Sequence, residues 1–270
     1  EMKTWTLEAM ENGWDAVGWY AFEHRVARNL YNGTLYPHTP TKQGCPERWD
    51  AMLQLSRKIA ETEKRIVAKS EVGVLASYDT ILGFGKDGLM ATYVVLRRKA
   101  GFKPEFISDN MVKEKPDILS GYSTLFITPT TLERPEVVQA LRGFVEEGGT
   151  LVGAGQDLYY NMDGEESIKL RGGIFGIREE ETFWHEDSVR LDKKVGSLEK
   201  GYEMPSFWER RRLKPADTAE ILGKWSDGTA AIIANNLRKG RCIYIGTEPY
   251  RAVVYRQADE WVRFIQALLQ

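Results

Sequence analysis

The residues that could do chemistry gather near the start of the chain. Glu23 follows a short apolar run, Asp15-Ala-Val-Gly-Trp-Tyr-Ala-Phe22, and opens a long polar connection that ends at Cys45. A carboxylate at a strand end can anchor hydroxyl groups or move a proton. Tyr20 and Phe22 share one face of an extended segment and Trp19 takes the other. Aromatic faces of this kind stack on the apolar faces of sugar rings. His24, Asn29, Asn32 and His38 add polar groups in the connection, and loops of that length in compact domains are usually functional. Hydrolysis of a glycosidic bond, however, takes two carboxyl groups, about 5–5.5 Å apart for retention. No second carboxylate in residues 1–67 stands at another strand end, so no complete catalytic pair is visible.

Other motifs carry less. Gly83-Phe-Gly85-Lys-Asp-Gly88 fits GxGxxG, with Asp109 about 20 residues on. A dinucleotide fingerprint starts its glycines at the strand end, where helix N–H groups meet the pyrophosphate. Here Ser77 to Leu82 intervenes, and a flexible loop is expected instead. The histidines His24, His38 and His185 are too scattered for a metal motif of the HExxH type, and two cysteines exclude a disulfide scaffold or a cysteine-rich zinc site. No cofactor is expected. Cys242 lies in an apolar strand and reads as core, and Cys45 beside Pro46 reads as a helix-entry residue. Glu209-Arg-Arg-Arg212 is charged, with no stacking platform for bases, and reads as a solvated strand or a subunit contact.

The elements that must position these groups fall into two domains. The chain has 270 residues, 42% hydrophobic and 28% charged, with a formal charge of −2. This is a folded chain with no general attraction for nucleic acid or anionic membrane. No apolar run reaches the ~18 residues of a membrane span. Residues 1–67 read as helix, strand, long connection and a helix opened by Pro46. From Val72 the pattern alternates: strands at 72–76, 105–108, 124–128 and 150–154, with helices at 87–100 and from Pro135. Joints this short imply a parallel α/β sheet of flavodoxin-like type. Residues 179–235 read as antiparallel strands, with a hairpin at Asp227-Gly228. A last strand, 241–246, and a terminal helix from about Tyr255 to Leu269 close the second domain, residues 70–270.

Three stretches in order resemble the C-terminal half of glycoside hydrolase family 42 β-galactosidases. Glu11-Asn-Gly-Trp-Asp-Ala-Val-Gly-Trp-Tyr20 is similar to the last strand of that family's (β/α)8 barrel. Asp117-Ile-Leu-Ser-Gly-Tyr122, running on through Leu125-Phe-Ile-Thr-Pro129, and Phe144-Val-Glu-Glu-Gly-Gly-Thr-Leu-Val152 resemble its trimerisation domain. That domain's fold is like a class I glutamine amidotransferase. Trp225-Ser-Asp-Gly-Thr-Ala-Ala231 with Lys239-Gly-Arg241 is similar to its closing hairpin.

The resemblance implies that residues 1–67 are the last strand-helix unit of a TIM barrel, and 70–270 the trimerisation domain. It implies a glycoside as substrate and a homo-oligomer, a trimer, as the assembly. The family's catalytic glutamates follow barrel strands four and seven, upstream of Glu1, so the chain is expected to be a fragment without turnover of its own. Tyr20, Phe22, Glu23, His24, Asn29 and Asn32 would form part of the sugar-site wall. Asn29 and Asn32 stand where the family has a Glu and a His that hold galactose, which weakens a β-galactoside reading and leaves a polar sugar pocket. The turn Gly153-Ala-Gly155-Gln-Asp157 would match the amidotransferase nucleophile turn, but it holds no cysteine. The alternative reading is a non-catalytic amidotransferase-like module for assembly or ligand binding. The compartment stays open, with the cytoplasm favoured. The segment Tyr202-Glu-Met-Pro-Ser-Phe-Trp-Glu-Arg-Arg-Arg212 has the composition of an interface, and alternation allows only one of Phe207 and Trp208 to face the core.

Overall fold

Apolar residues on consecutive strand positions, rather than on alternate ones, require a sheet covered on both faces, and the second half of the chain builds one. The computed structural model describes residues 46–61 and 70–269. The chain divides into two compact units, Glu1–Lys69 and Ser70–Gln270. In the first, α1 spans Pro46–Glu61, with Pro46 opening it and Met52 and Leu55 buried.

In the second unit, β1 (Val72–Ala76), β2 (Glu105–Ser108), β3 (Thr124–Phe126), β4 (Thr150–Ala154) and β11 (Gly240–Ile245) run parallel in the order β2-β1-β3-β4-β11. Antiparallel strands extend this sheet from β11. They are β5 (Ile177–Phe183), β6 (Ser188–Leu191), β7 (Glu203–Pro205), β8 (Arg210–Pro215), β9 (Ala219–Lys224) and β10 (Ala230–Leu237). The path runs β11-β10-β9-β6-β7, with β8 pairing β10 and β5. The architecture is a mixed α/β sheet of 11 strands.

Alternate residues of β1, β3, β4 and β11 feed two cores. Val74, Phe126, Val152, Ile243 and Ile245 face one side, and Leu75, Leu125, Leu151, Cys242 and Tyr244 the other. Helices α2 (Tyr78–Phe84) and α3 (Asp87–Val94, continued by a π turn at Val95–Lys99) follow β1. After β2 comes α4 (Asp109–Glu114), and after β3 comes α5 (Pro135–Glu146). Val137, Val138, Leu141, Phe144 and Val145 form the buried stripe of α5. Then come α6 (Ile168–Phe175), α7 (Pro249–Arg256) and α8 (Asp259–Leu268).

Three local expectations change. The flexible loop expected for Gly83–Gly88 is instead the end of α2, its cap at Gly85 and the start of α3, and α2 itself is started by the Ser77 hydroxyl accepting from the Thr80 N–H at 3.2 Å. The terminal helix is two helices, because Gln257 adopts φ 57° and breaks the run. Pro249 opens the earlier one. The charged run at 209–212 is mostly interior: Glu209, Arg210 and Arg211 are buried, since β8 lies between β5 and β10. The Asp227-Gly228 turn does join β9 to β10, with Gly228 at φ 85°, and Cys242 is fully buried.

Candidate functional site

Tyr20, Phe22, Glu23, His24, Asn29 and Asn32 lie outside the described residues, as does Cys45. Within Ser70–Gln270, polar and aromatic side chains converge at the C-terminal ends of the parallel strands. In open α/β sheets this is where ligands bind. A cavity of about 230 Å³ opens there. Its walls come from Phe84 and Gly85 after β1, Pro129 and Thr131 after β3, and Gln156 after β4. Glu248 and Arg251 close it from the chain after β11, and Trp184, Trp208 and Glu209 from the antiparallel region.

Each wall residue is placed by backbone geometry. Gly155 turns the chain after β4 at φ 56°. Its N–H donates to the Ile245 carbonyl at 2.9 Å, and its own carbonyl accepts from the buried Tyr244 hydroxyl. These bonds hold the β4 turn against β11, so that Gln156 after β4 and Glu248 after β11 line the same cavity. Trp208 sits at the centre of a three-residue turn, closed by the Glu209 N–H donating to the Phe207 carbonyl at 2.7 Å. Its φ is 63°, a rare and strained geometry for a bulky residue. The buried Thr247 hydroxyl clamps the turn, accepting from the Phe207 N–H at 3.0 Å and donating to the Phe207 carbonyl at 3.1 Å. The turn throws the Trp208 indole outward, 62% exposed, while Glu209 beside it is 2% exposed. Phe207 stacks on Tyr255 at 5.9 Å within its own unit. Met204 of the supposed interface segment is core.

Glu209 is anchored by a buried arginine. Arg211 donates to its Oε2 at 2.9 Å, and Arg211 also bonds Glu180 at 2.8 Å. Arg171 bonds Glu180 at 2.8 Å as well, and each of the two guanidiniums lies over the Tyr159 ring, 4.4 and 4.6 Å from its centroid. Gln156 Nε2 stands 3.5 Å from Glu209 Oε2. Glu209 Oε1 is buried without a hydrogen-bond partner among the described residues. Burial pushes the Glu248 carboxyl up to about 7, against the nearby Arg251 charge and helped by Glu209. Arg251 Nε is 3.5 Å from Glu248 Oε2.

A separate carboxylate trio, Asp79, Asp109 and Glu133, brings ligand oxygens within 4.8 Å of one another after β1, β2 and β3. Hard cations take such oxygens, but most are already engaged. Arg134 grips Asp79 through two bonds of 2.7 and 3.2 Å. The two Asp109 oxygens accept from the N–H groups of Tyr78 and Asn110, each at 2.7 Å. Glu133 is fully buried, which raises its carboxyl to about 7. The trio ties the loops after three strands together. In the GxGxxG stretch, Gly83 lies in α2, Gly85 caps it and Gly88 packs against Pro129, an arrangement without a pyrophosphate cradle at a strand end.

A family model described as the β-galactosidase trimerisation domain matches residues 105–263, more than half of the chain. The chain belongs to this family. The trimerisation-domain match spans β2 to α8 and so includes the cavity residues from Pro129 to Arg251. Among solved structures, a β-galactosidase from Bacillus circulans sp. alkalophilus is 17% identical with a TM-score of 0.62, over 86% of this chain and 34% of that one. An exo-β-1,4-mannosidase from Opitutaceae bacterium strain TAV5 is 14% identical with a TM-score of 0.57, over 86% and 40%. A cytoplasmic protein from Salmonella typhimurium LT2 is 10% identical with a TM-score of 0.53, over 73% of this chain and 98% of that one. The chain thus spans about a third of the β-galactosidase it matches, and at these identities the likeness is one of fold. No curated protein matches the sequence. No helix among the described residues is long and apolar enough to cross a membrane.

Sequence reading missed the cavity, because its walls come from six separate segments. Two signals pointed towards it: Pro249 as a helix opener directly after Glu248, and a Trp followed at once by a Glu at 208–209.

Proposed function

We propose that this chain is the C-terminal part of a glycoside hydrolase of the family 42 type. In this reading residues 70–270 are the oligomerisation domain, and residues 1–67 are the last strand-helix unit of the catalytic barrel. Tyr20, Phe22, Glu23, His24, Asn29 and Asn32 supply one wall of its sugar site. The trimerisation-domain match, together with a span of only a third of a β-galactosidase, is the observation that carries this reading. The parallel order β2-β1-β3-β4-β11 supports a flavodoxin-like, amidotransferase-like ancestry for the second domain. The assembly is a homotrimer, and the substrate is a glycoside.

The test is an assay with a panel of aryl glycosides, run beside sedimentation. The 270-residue chain gives background turnover and a trimer's mass. A polypeptide that adds the coding sequence preceding Glu1 gives turnover. Turnover by the 270-residue chain that disappears in Glu23→Gln would assign Glu23 a catalytic role and overturn the fragment reading. A monomer at tens of micromolar would remove the trimer.

A second reading, a non-catalytic assembly or ligand-binding module, is favoured by one observation. The Salmonella protein is covered over 98% of its length by this fold, so the fold also occurs as nearly a whole protein. A preceding sequence without barrel strands would select it.

A further inference from the structure

We propose that the cavity at the C-terminal edge of the sheet, framed by Trp184 and Trp208 over Glu209, Glu248 and Gln156, is a binding site for a neutral saccharide. This does not rest on the barrel reading, since every residue involved lies in Ser70–Gln270.

Three independent features point to a ligand. First, two tryptophans from separate segments border the same cavity while 63% and 62% exposed. Leaving two indoles in water costs apolar area that folding would otherwise remove. Second, Trp208 is kept exposed by a strained turn that Thr247 clamps from both sides. Strain at an ordered, over-determined position is typical of a ligand clamp. Third, Glu209 lines the cavity, and its Oε1 is buried at that edge without a hydrogen-bond partner among the described residues. A buried acceptor left unmet is costly, and a ligand hydroxyl would satisfy it.

The donor and acceptor balance selects the chemistry. Glu209 and Glu248 offer acceptors, while the Gln156 amide and Arg251 guanidinium offer donors. A hydroxyl group both gives and takes a hydrogen bond, so a ring carrying several hydroxyls can use this mixture. The apolar faces of the same ring suit the indoles. An organic ammonium also suits an aromatic cage beside a carboxylate, but its charge would meet that of Arg251. A phosphate or carboxylate ligand would meet the two glutamates.

The full chain is titrated by calorimetry and by saturation-transfer NMR with galactose, mannose, lactose and cellobiose, and with choline chloride as the cationic control. At least one neutral sugar binds, and Trp208→Gly and Trp184→Ala each weaken it about tenfold or more, the scale of one lost contact. Both side chains are exposed, so far-UV circular dichroism stays that of the parent. A sugar held only by residues 1–67 would keep its affinity in both tryptophan variants, which separates the two sites. The proposal is overturned if no neutral sugar binds, if choline binds in its place, or if sugar binding survives both tryptophan substitutions.

Discussion

Glu209 and Glu248 reach the same point from different parts of the sheet. The position that a β-carbon on Gly155 would occupy lies 2.9 Å from Glu209 Oε1 and 2.8 Å from Glu248 Oε1. The two oxygens can therefore be no further apart than the sum of those distances. One carboxylate is tied to Arg211 and the other is raised towards neutrality by burial. Environments that divide two carboxyls in this way let them face each other without mutual repulsion.

Gly155→Ala tests that closeness. Alanine at φ 56° carries a backbone cost of about 1–2 kcal/mol, and its methyl group must also displace one of the carboxylates. Urea denaturation should show a loss of at least about 1 kcal/mol, and the titration of Glu248 should move. Full parental stability would mean that the carboxylates do not converge there.

Glu248 sets a pH dependence. Its folded value of about 7 lies above the ordinary 4.5, so the folded state holds a proton that the unfolded chain releases earlier. The stability it contributes is complete below about 4.5 and is lost as pH rises through about 7. Glu209, Arg211 and Arg251 are the charges that act on it, and Glu133 adds a slope of the same sign. Between pH 5 and 8 the parent should lose stability faster than Glu248→Gln, by up to about 3 kcal/mol over the range. Equal slopes would show that Glu248 is ionised throughout.

Trp208→Gly should leave the protein as stable as the parent or more so, by about 1 kcal/mol, because glycine accepts φ 63° without steric cost. Trp208→Ala keeps the unfavourable backbone and should gain nothing. Thermal melts of the two variants make the comparison. A large loss in Trp208→Gly would mean that the indole is a packing element.

The alternation of strand and helix from Val72 to Ala154 was legible because each segment carries its own periodicity and its own punctuation. Pro135 opens α5, and Gly148-Gly149 ends it. The Asp227-Gly228 hairpin was legible for the same local reason. The cavity was not, since Glu209 and Glu248 are brought together by sheet order, which a single sequence does not state. Ser77 before Tyr78-Asp79-Thr80 was a readable N-cap that the GxGxxG pattern overshadowed. The Glu209–Arg212 run misled for a physical reason. A charge run reads as solvated unless its counter-charges are known, and here they lie at Glu180, Asp187 and Asp227 on other strands and turns.

That buried network gives the last prediction. Arg211 is 1% exposed and bonds both Glu180 and Glu209, so Arg211→Met strands carboxylate charge in the interior. Removing one partner of a buried pair costs about 3–5 kcal/mol. Glu180 keeps Arg171, so most of the loss should come from Glu209, whose other neighbours are Gln156 at 3.5 Å and the Glu248 carboxyl. Adding Glu209→Gln to Arg211→Met removes the stranded charge and should recover part of the loss. The double-mutant cycle should then show a coupling of about 1–3 kcal/mol. Chemical denaturation of the parent, both single variants and the pair measures it. A cost below about 0.5 kcal/mol for Arg211→Met, the range of ordinary surface substitutions, would return this strand to the solvated surface and leave Glu209 without its anchor beside the cavity.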